Sequence, residues 1–95
     1  MNYELQFLPS ALKEWRKLGD TIREQFKSKL AERLEKPHVV ADKLRGSEMK
    51  DCYKIKLRAA GYRLVYRVDD LAITVTVVAV GKRNQSAIYK TAGKR

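Results

Sequence analysis

The chain predicts an α+β fold, a two-helix hairpin packed on a mostly antiparallel four-stranded sheet in the order βααβββ. Three observations predict it. Residues 52–58 alternate polar and apolar side chains with period two, as a half-buried strand does, and residues 62–68 can pair with them across Ala59-Ala60-Gly61. Ile22, Phe26, Leu30 and Leu34 recur every fourth residue, the apolar stripe of a helix. Leu71 to Val80 is apolar on both faces apart from Thr74 and Thr76, which suits an interior strand.

The elements follow in order. Asn2 to Leu8 sets Tyr3, Leu5 and Phe7 on one side, a first strand. Pro9-Ser10 stops it and offers Ser10 as the cap of a helix that carries Ala11, Leu12, Trp15 and Leu18 inward. Trp15, on that stripe, is a core residue. Gly19 closes this helix, and Asp20 caps the next, which ends near Lys36 before Pro37. Pro37 to Met49 has no strong period and reads as a connection. Ala59-Ala60-Gly61 turns one basic strand into the next, and Asp69-Asp70 turns that into the last strand. Gly81 to Ser86 is a loop, Ser86 to Tyr89 starts a short helical turn, and Thr91 to Arg95 is a mobile tail. At 95 residues, the whole of 1–95 reads as one domain.

Composition narrows the function. Hydrophobic residues are 44% and charged residues 34%, typical of a folded chain rather than a disordered one. No stretch is long or apolar enough to span a bilayer, and the N-terminus has no basic segment followed by an apolar one. With one cysteine and no internal disulfide, a cytoplasmic location and no membrane association are expected. The net charge of +10 is uneven. Residues 1–42 hold 8 Lys/Arg against 7 Asp/Glu, whereas residues 43–95 hold 13 against 4. The second half is therefore drawn to an anionic partner. Its charge is also patterned. Tyr53, Ile55 and Leu57 point one way, Lys54, Lys56 and Arg58 the other, and the next strand adds Arg63 and Arg67. Like charges on one sheet face cost stability unless an anion sits on them, and a polyphosphate such as nucleic acid is the obvious one.

The available chemistry is restricted. One histidine, one cysteine and no clustered carboxylates make a metal site, or any cofactor, unexpected. His38 follows Pro37 in a connection and reads as an exposed loop residue. Cys52 shares the register of Lys54; the nearby cations would lower its pKa, although a small buried residue is the better reading. Tyr53, Tyr62 and Tyr66 fall in the apolar register and belong to the core. What remains is Lys, Arg and Tyr, which can work on an RNA phosphodiester. Cations stabilise the phosphoryl charge directly. A lysine base is harder, since a pKa of about 10.4 leaves only a few lysines in ten thousand neutral at pH 7. Crowded cations favour the neutral form. Tyr89, beyond the Arg83 loop, could stack on a base or simply pack the C-terminal segment.

Ala11 to Gly19, Lys43-Leu44-Arg45-Gly46, Asp51 to Arg58, Gly61 to Tyr66, Val80-Gly81-Lys82-Arg83 and Tyr89 together resemble the RelE toxins of bacterial type II toxin–antitoxin modules. The resemblance covers nearly the whole chain in order. It implies a RelE-like, microbial ribonuclease-like fold and an mRNA interferase that cuts mRNA in the A site of the 70S ribosome. By that likeness Lys54 is the general base, Lys56 helps hold the phosphate and Arg63 stabilises the transition state. Arg83 protonates the leaving oxygen, Tyr89 stacks on a base and orients the 2′-OH, and the product carries a 2′,3′-cyclic phosphate. Arg45 contacts RNA; Lys43, Lys82 and Arg58 add to the RNA- or ribosome-binding surface. The likeness also implies a RelB-like antitoxin that blocks the toxin, and operator DNA bound only through that complex. Two departures stand out. The Ser47–Lys50 loop looks longer than the family's usual link, and Gln85 cannot supply a second charge after Arg83. The alternative is a non-catalytic basic RNA- or ribosome-binding module.

Overall fold

A computed structural model describes residues 2–82 and 87–95. Strand β1 (Glu4–Phe7) leads into helices α1 (Pro9–Arg16) and α2 (Asp20–Glu35). After a connection with two short 3₁₀ turns come β2 (Cys52–Leu57), β3 (Tyr62–Asp69), β4 (Thr74–Lys82) and a third helix, α3 (Ala87–Lys94). The sheet order is β1-β4-β3-β2. β2, β3 and β4 form the antiparallel meander that the sequence predicts, and β1 joins parallel to β4, so the sheet is mixed. β4 is interior, as its two-sided apolar pattern required, and β2 is an edge.

The helix ends differ in detail from the sequence expectation. Pro9 is the first residue of α1, where its missing N–H costs nothing, so Leu8 rather than Ser10 is the cap residue. Gly19 is extended (φ −69°, ψ 159°) and caps α2 instead of closing α1. Asp20 therefore begins α2, near the positive end of the helix dipole, and pairs with Arg23.

The core has two parts. Facing α1 and α2, Tyr53, Ile55, Leu57, Leu64, Tyr66, Val75 and Val77 pack against Ala11, Phe26 and Leu30. Trp15 joins them, its ring 5.2 Å from Phe7 and 6.3 Å from Phe26. On the opposite face a second cluster holds Met49, Cys52, Val65, Val78, Ala79, Ile88 and Ala92. This corrects the expectation that the opposite face is simply cationic: α3 and the second 3₁₀ turn cover part of it. A β-bulge makes room. Val65 pairs with Ala79 and Tyr66 with Val77, leaving Val78 as the extra residue. Consequently Val77 and Val80 face the helical hairpin, while Val78 and Ala79 both face α3.

The expected mobile tail is helical and tethered. Ile88 and Ala92, one turn apart, bury the inner face of α3. Arg95 donates to the Val78 carbonyl (2.8 Å) and forks onto Glu14 of α1 (2.9 and 3.1 Å). Glu14 also accepts the Val80 N–H (3.2 Å). The pairing of β1 with β4 stops at Val77. Beyond it the bulged edge of β4 has no strand neighbour on that side among the described residues, and Arg95 and Glu14 take up the polar groups that a strand would have satisfied.

Candidate active site

The site is built on the β2–β3 hairpin. Burial of Tyr53, Ile55 and Leu57 against the helices forces Lys54 and Lys56 onto the other face. Gly61 supplies the left-handed conformation at the turn (φ +71°), and its N–H closes onto the Leu57 carbonyl at 2.8 Å. That turn sets the register: Lys56 lies opposite Arg63, Lys54 opposite Val65 and Cys52 opposite Arg67. Directly opposed side chains share a face, with Cβ atoms about 5 Å apart. Lys56 and Arg63 are thus like charges held side by side. With Arg58, Leu57 and Gly61 they line a concavity of about 260 Å³.

The crowding has a chemical effect. The charge of Lys54 is the main influence holding the Lys56 ammonium below its ordinary value of 10.5, followed by desolvation and the charge of Arg63. α3 brings in Tyr89. Arg63 donates to its hydroxyl (3.1 Å), and the guanidinium carbon lies 5.4 Å from the ring centroid. The structure therefore gathers Lys54, Lys56, Arg63, Tyr89 and Arg58 on one surface. Arg83, with Asn84 and Gln85, lies outside the described residues.

Other expected binding residues lie elsewhere. Lys82 pairs with Tyr62, a register that sets it on the sheet side opposite Arg63. Lys43 bridges to Tyr53 at the far end of β2, where its ammonium donates to the carbonyls of Leu44 (2.9 Å) and Met49 (3.3 Å). Arg45 is exposed nearby in sequence, before the second 3₁₀ turn. His38 is exposed, as expected of a loop residue, and meets Asp70 at 2.9 Å. Cys52 is fully buried, and burial pushes its thiol up against the opposing pull of Arg67 and Lys43. The small-buried-residue reading holds; the expectation of a lowered pKa does not.

The geometry can be set beside known proteins. Residues 5–87 match the family model for the ParE toxin of the type II toxin–antitoxin system parDE. The mRNA interferase toxin RelE of Escherichia coli K12 is 60% identical over 95 residues, covering 100% of this chain and 98% of that protein. This chain belongs to the RelE group of the type II toxin family. An arginine double mutant of the E. coli RelE toxin in the free state superposes with a TM-score of 0.91 at 59% identity, covering 100% of this chain and 98% of that one. The toxin in the intact E. coli RelBE toxin–antitoxin complex matches with a TM-score of 0.82 at 60% identity, covering 87% of this chain and 99% of that one. The RelE-like fold expected from the sequence is thereby established, with three helices on a four-stranded mixed sheet.

Proposed function

We propose that this RelE-family chain is an endoribonuclease, an mRNA interferase that cuts mRNA in the ribosomal A site by attack of the 2′-OH on the adjacent phosphodiester. The enzyme class is supported by the 60% identity to a protein named as an mRNA interferase toxin. The observation that carries the reading is the facing pair Lys56 and Arg63, with Lys54 alongside and Tyr89 held on Arg63. Opposed cations are a poor choice for stability and a good one for a phosphoryl group that gains charge in the transition state.

In this reading Lys54 takes the 2′-OH proton, Lys56 holds a phosphoryl oxygen and Arg63 stabilises the transition state. Arg83 protonates the 5′-oxygen, and Tyr89 stacks on a base. The products are a 2′,3′-cyclic phosphate and a free 5′-hydroxyl. The charge of Lys54 holds the Lys56 ammonium below its ordinary value, so the cations crowd one another where a phosphoryl anion would relieve them. A site without a histidine or carboxylate gains most from a partner that orients the RNA, which is the physical case for ribosome dependence. Arg45, Lys43, Arg58 and Lys82 would add electrostatic contacts to ribosome or mRNA. A RelB-like antitoxin would hold the toxin inactive in the cytoplasm, as the RelBE complex of the relative suggests.

The test is to translate a defined mRNA with purified ribosomes and map new 3′ ends. Cleavage by the unaltered protein, its loss in the Lys54→Ala, Arg83→Ala double variant and its absence on free RNA would support the reading. Cleavage that survives the double variant would remove the proposed site. Binding without cleavage would leave the non-catalytic ribosome-binding module.

A further inference from the structure

Behind the basic face, on the helical side of β2, lies a charged side chain that the mechanism above does not use. Arg33 of α2 is only 14% exposed. Its guanidinium donates to Asp42 (2.6 Å), to the Tyr66 hydroxyl (2.8 Å) and to the backbone carbonyl of Lys54 (3.3 Å). The Tyr66 hydroxyl passes the chain on, donating to the Pro37 carbonyl at 2.7 Å. Tyr66 is fully buried, sits opposite Tyr53 in the β2–β3 register and stacks on it at 5.5 Å. One guanidinium thus grips the two strands of the active hairpin and the connection that precedes them.

The grip falls where the sheet is least constrained. β2 is an edge strand, and among the described residues its outward carbonyls have no strand neighbour. The Cys52 carbonyl is taken by the Leu44 N–H (3.0 Å), and the Lys54 carbonyl by Arg33. Burying most of an arginine is expensive unless its donors are satisfied, and simple packing at this position needs no charge. The planar fork does what an apolar residue cannot, holding a carboxylate, a phenol and a peptide oxygen in fixed relative positions.

We infer that Arg33 is a positioning residue for the reaction, acting through the Lys54 peptide and the Tyr66 hydroxyl to fix where Lys54 and Lys56 stand relative to Arg63. The inference rests on the proposed ribonuclease reading. Misplacing reacting groups by about 1 Å costs on the order of 100-fold in rate. Arg33→Met, which keeps the length and loses the donors, should lower kcat about 10- to 100-fold and leave KM for the programmed ribosome within about twofold. Arg33→Lys, with one compact donor group, should recover only part of the rate.

The deciding measurement is a double-mutant cycle on ribosome-dependent cleavage with Lys54→Ala, with circular dichroism as the folding control. If Arg33 acts through Lys54, Arg33→Met costs little further in the Lys54→Ala background. An unchanged kcat in Arg33→Met, or an equal loss with and without Lys54, overturns the inference. An unaltered protein that does not cleave overturns the functional reading and this inference with it. Should Arg33→Met not fold, Asp42→Asn loosens the same guanidinium, and it must lower kcat without raising KM or the inference fails.

Discussion

Replacing Glu14 by alanine cuts two attachments that meet on one carboxylate. The first is the fork to Arg95, which fixes the end of α3. Glu14 and Arg95 are 30% and 22% exposed, so solvent screening reduces the pair to about 1 kcal/mol. The second is the Val80 N–H, on a residue 2% exposed at the bulged edge of β4. Leaving that donor without an acceptor costs about 1–3 kcal/mol. Alanine's higher helix propensity returns a few tenths of a kcal/mol. The net loss is roughly 2–4 kcal/mol, which for a domain of this size lowers Tm by roughly 10–30 °C. Glu14→Gln separates the parts, because the amide oxygen still serves Val80 while the fork loses its charge. It should cost only about 1 kcal/mol, or about 5 °C. Thermal unfolding by circular dichroism gives both values, and amide exchange at Val80 reports the second attachment directly. If alanine costs no more than glutamine, the carboxylate does not satisfy the bulged edge and the reasoning about β4 fails.

Two other expectations concern ionisable groups on or beside the basic face. The folded value of Lys56 lies below its ordinary 10.5, so the unfolded chain binds more protons and stability rises as pH climbs towards that value. Lys56→Met should therefore raise Tm at pH 7, and its advantage should shrink as the pH rises towards 10.5; a gain independent of pH would rule out charge repulsion as its cause. Cys52 is buried with its thiol pushed up, so iodoacetamide should label it only after unfolding in urea, by mass spectrometry. Rapid labelling of the folded protein would contradict that burial.

The basic hairpin was legible because period-two alternation and a glycine turn are local signals: Lys54, Lys56 and Arg63 could be placed on one face from their spacing alone. The same alternation assigns Tyr66 to the core, and helical spacing assigns Trp15. α3 was harder. Thr91 and Gly93 are poor helix formers, and the helix depends on seating Ile88 and Ala92 against Val65 and Val78, a tertiary effect. Gly19 and Ser10 obeyed general preferences less closely than the backbone path between two short-linked helices. Arg33, Glu14 and Arg95 carry no signal, since the first two look like surface charges on helices and the third like the end of a tail, and each finds its partners on distant elements. The bulge at Val78 shows only as the switch from alternation to the apolar run Val77 to Val80.

The parallel pairing of β1 with β4 has a consequence for how the chain comes into being. Glu4 meets Thr74 and Phe7 meets Val77, so the first strand can dock only after three-quarters of the sequence has been made. The helical hairpin and the β2–β3 ribbon are short-range structures that can form early, whereas closing the sheet must overcome the entropy of a long loop. Until then Leu5, Phe7 and Trp15 lack the partner that buries them, and the unfinished chain is prone to aggregate. Tyr89 and Arg95 arrive later still. Order of synthesis thus puts the basic ribbon first and the elements that lock and complete it last, which makes assembly of the candidate site one of the final events in the maturation of the protein.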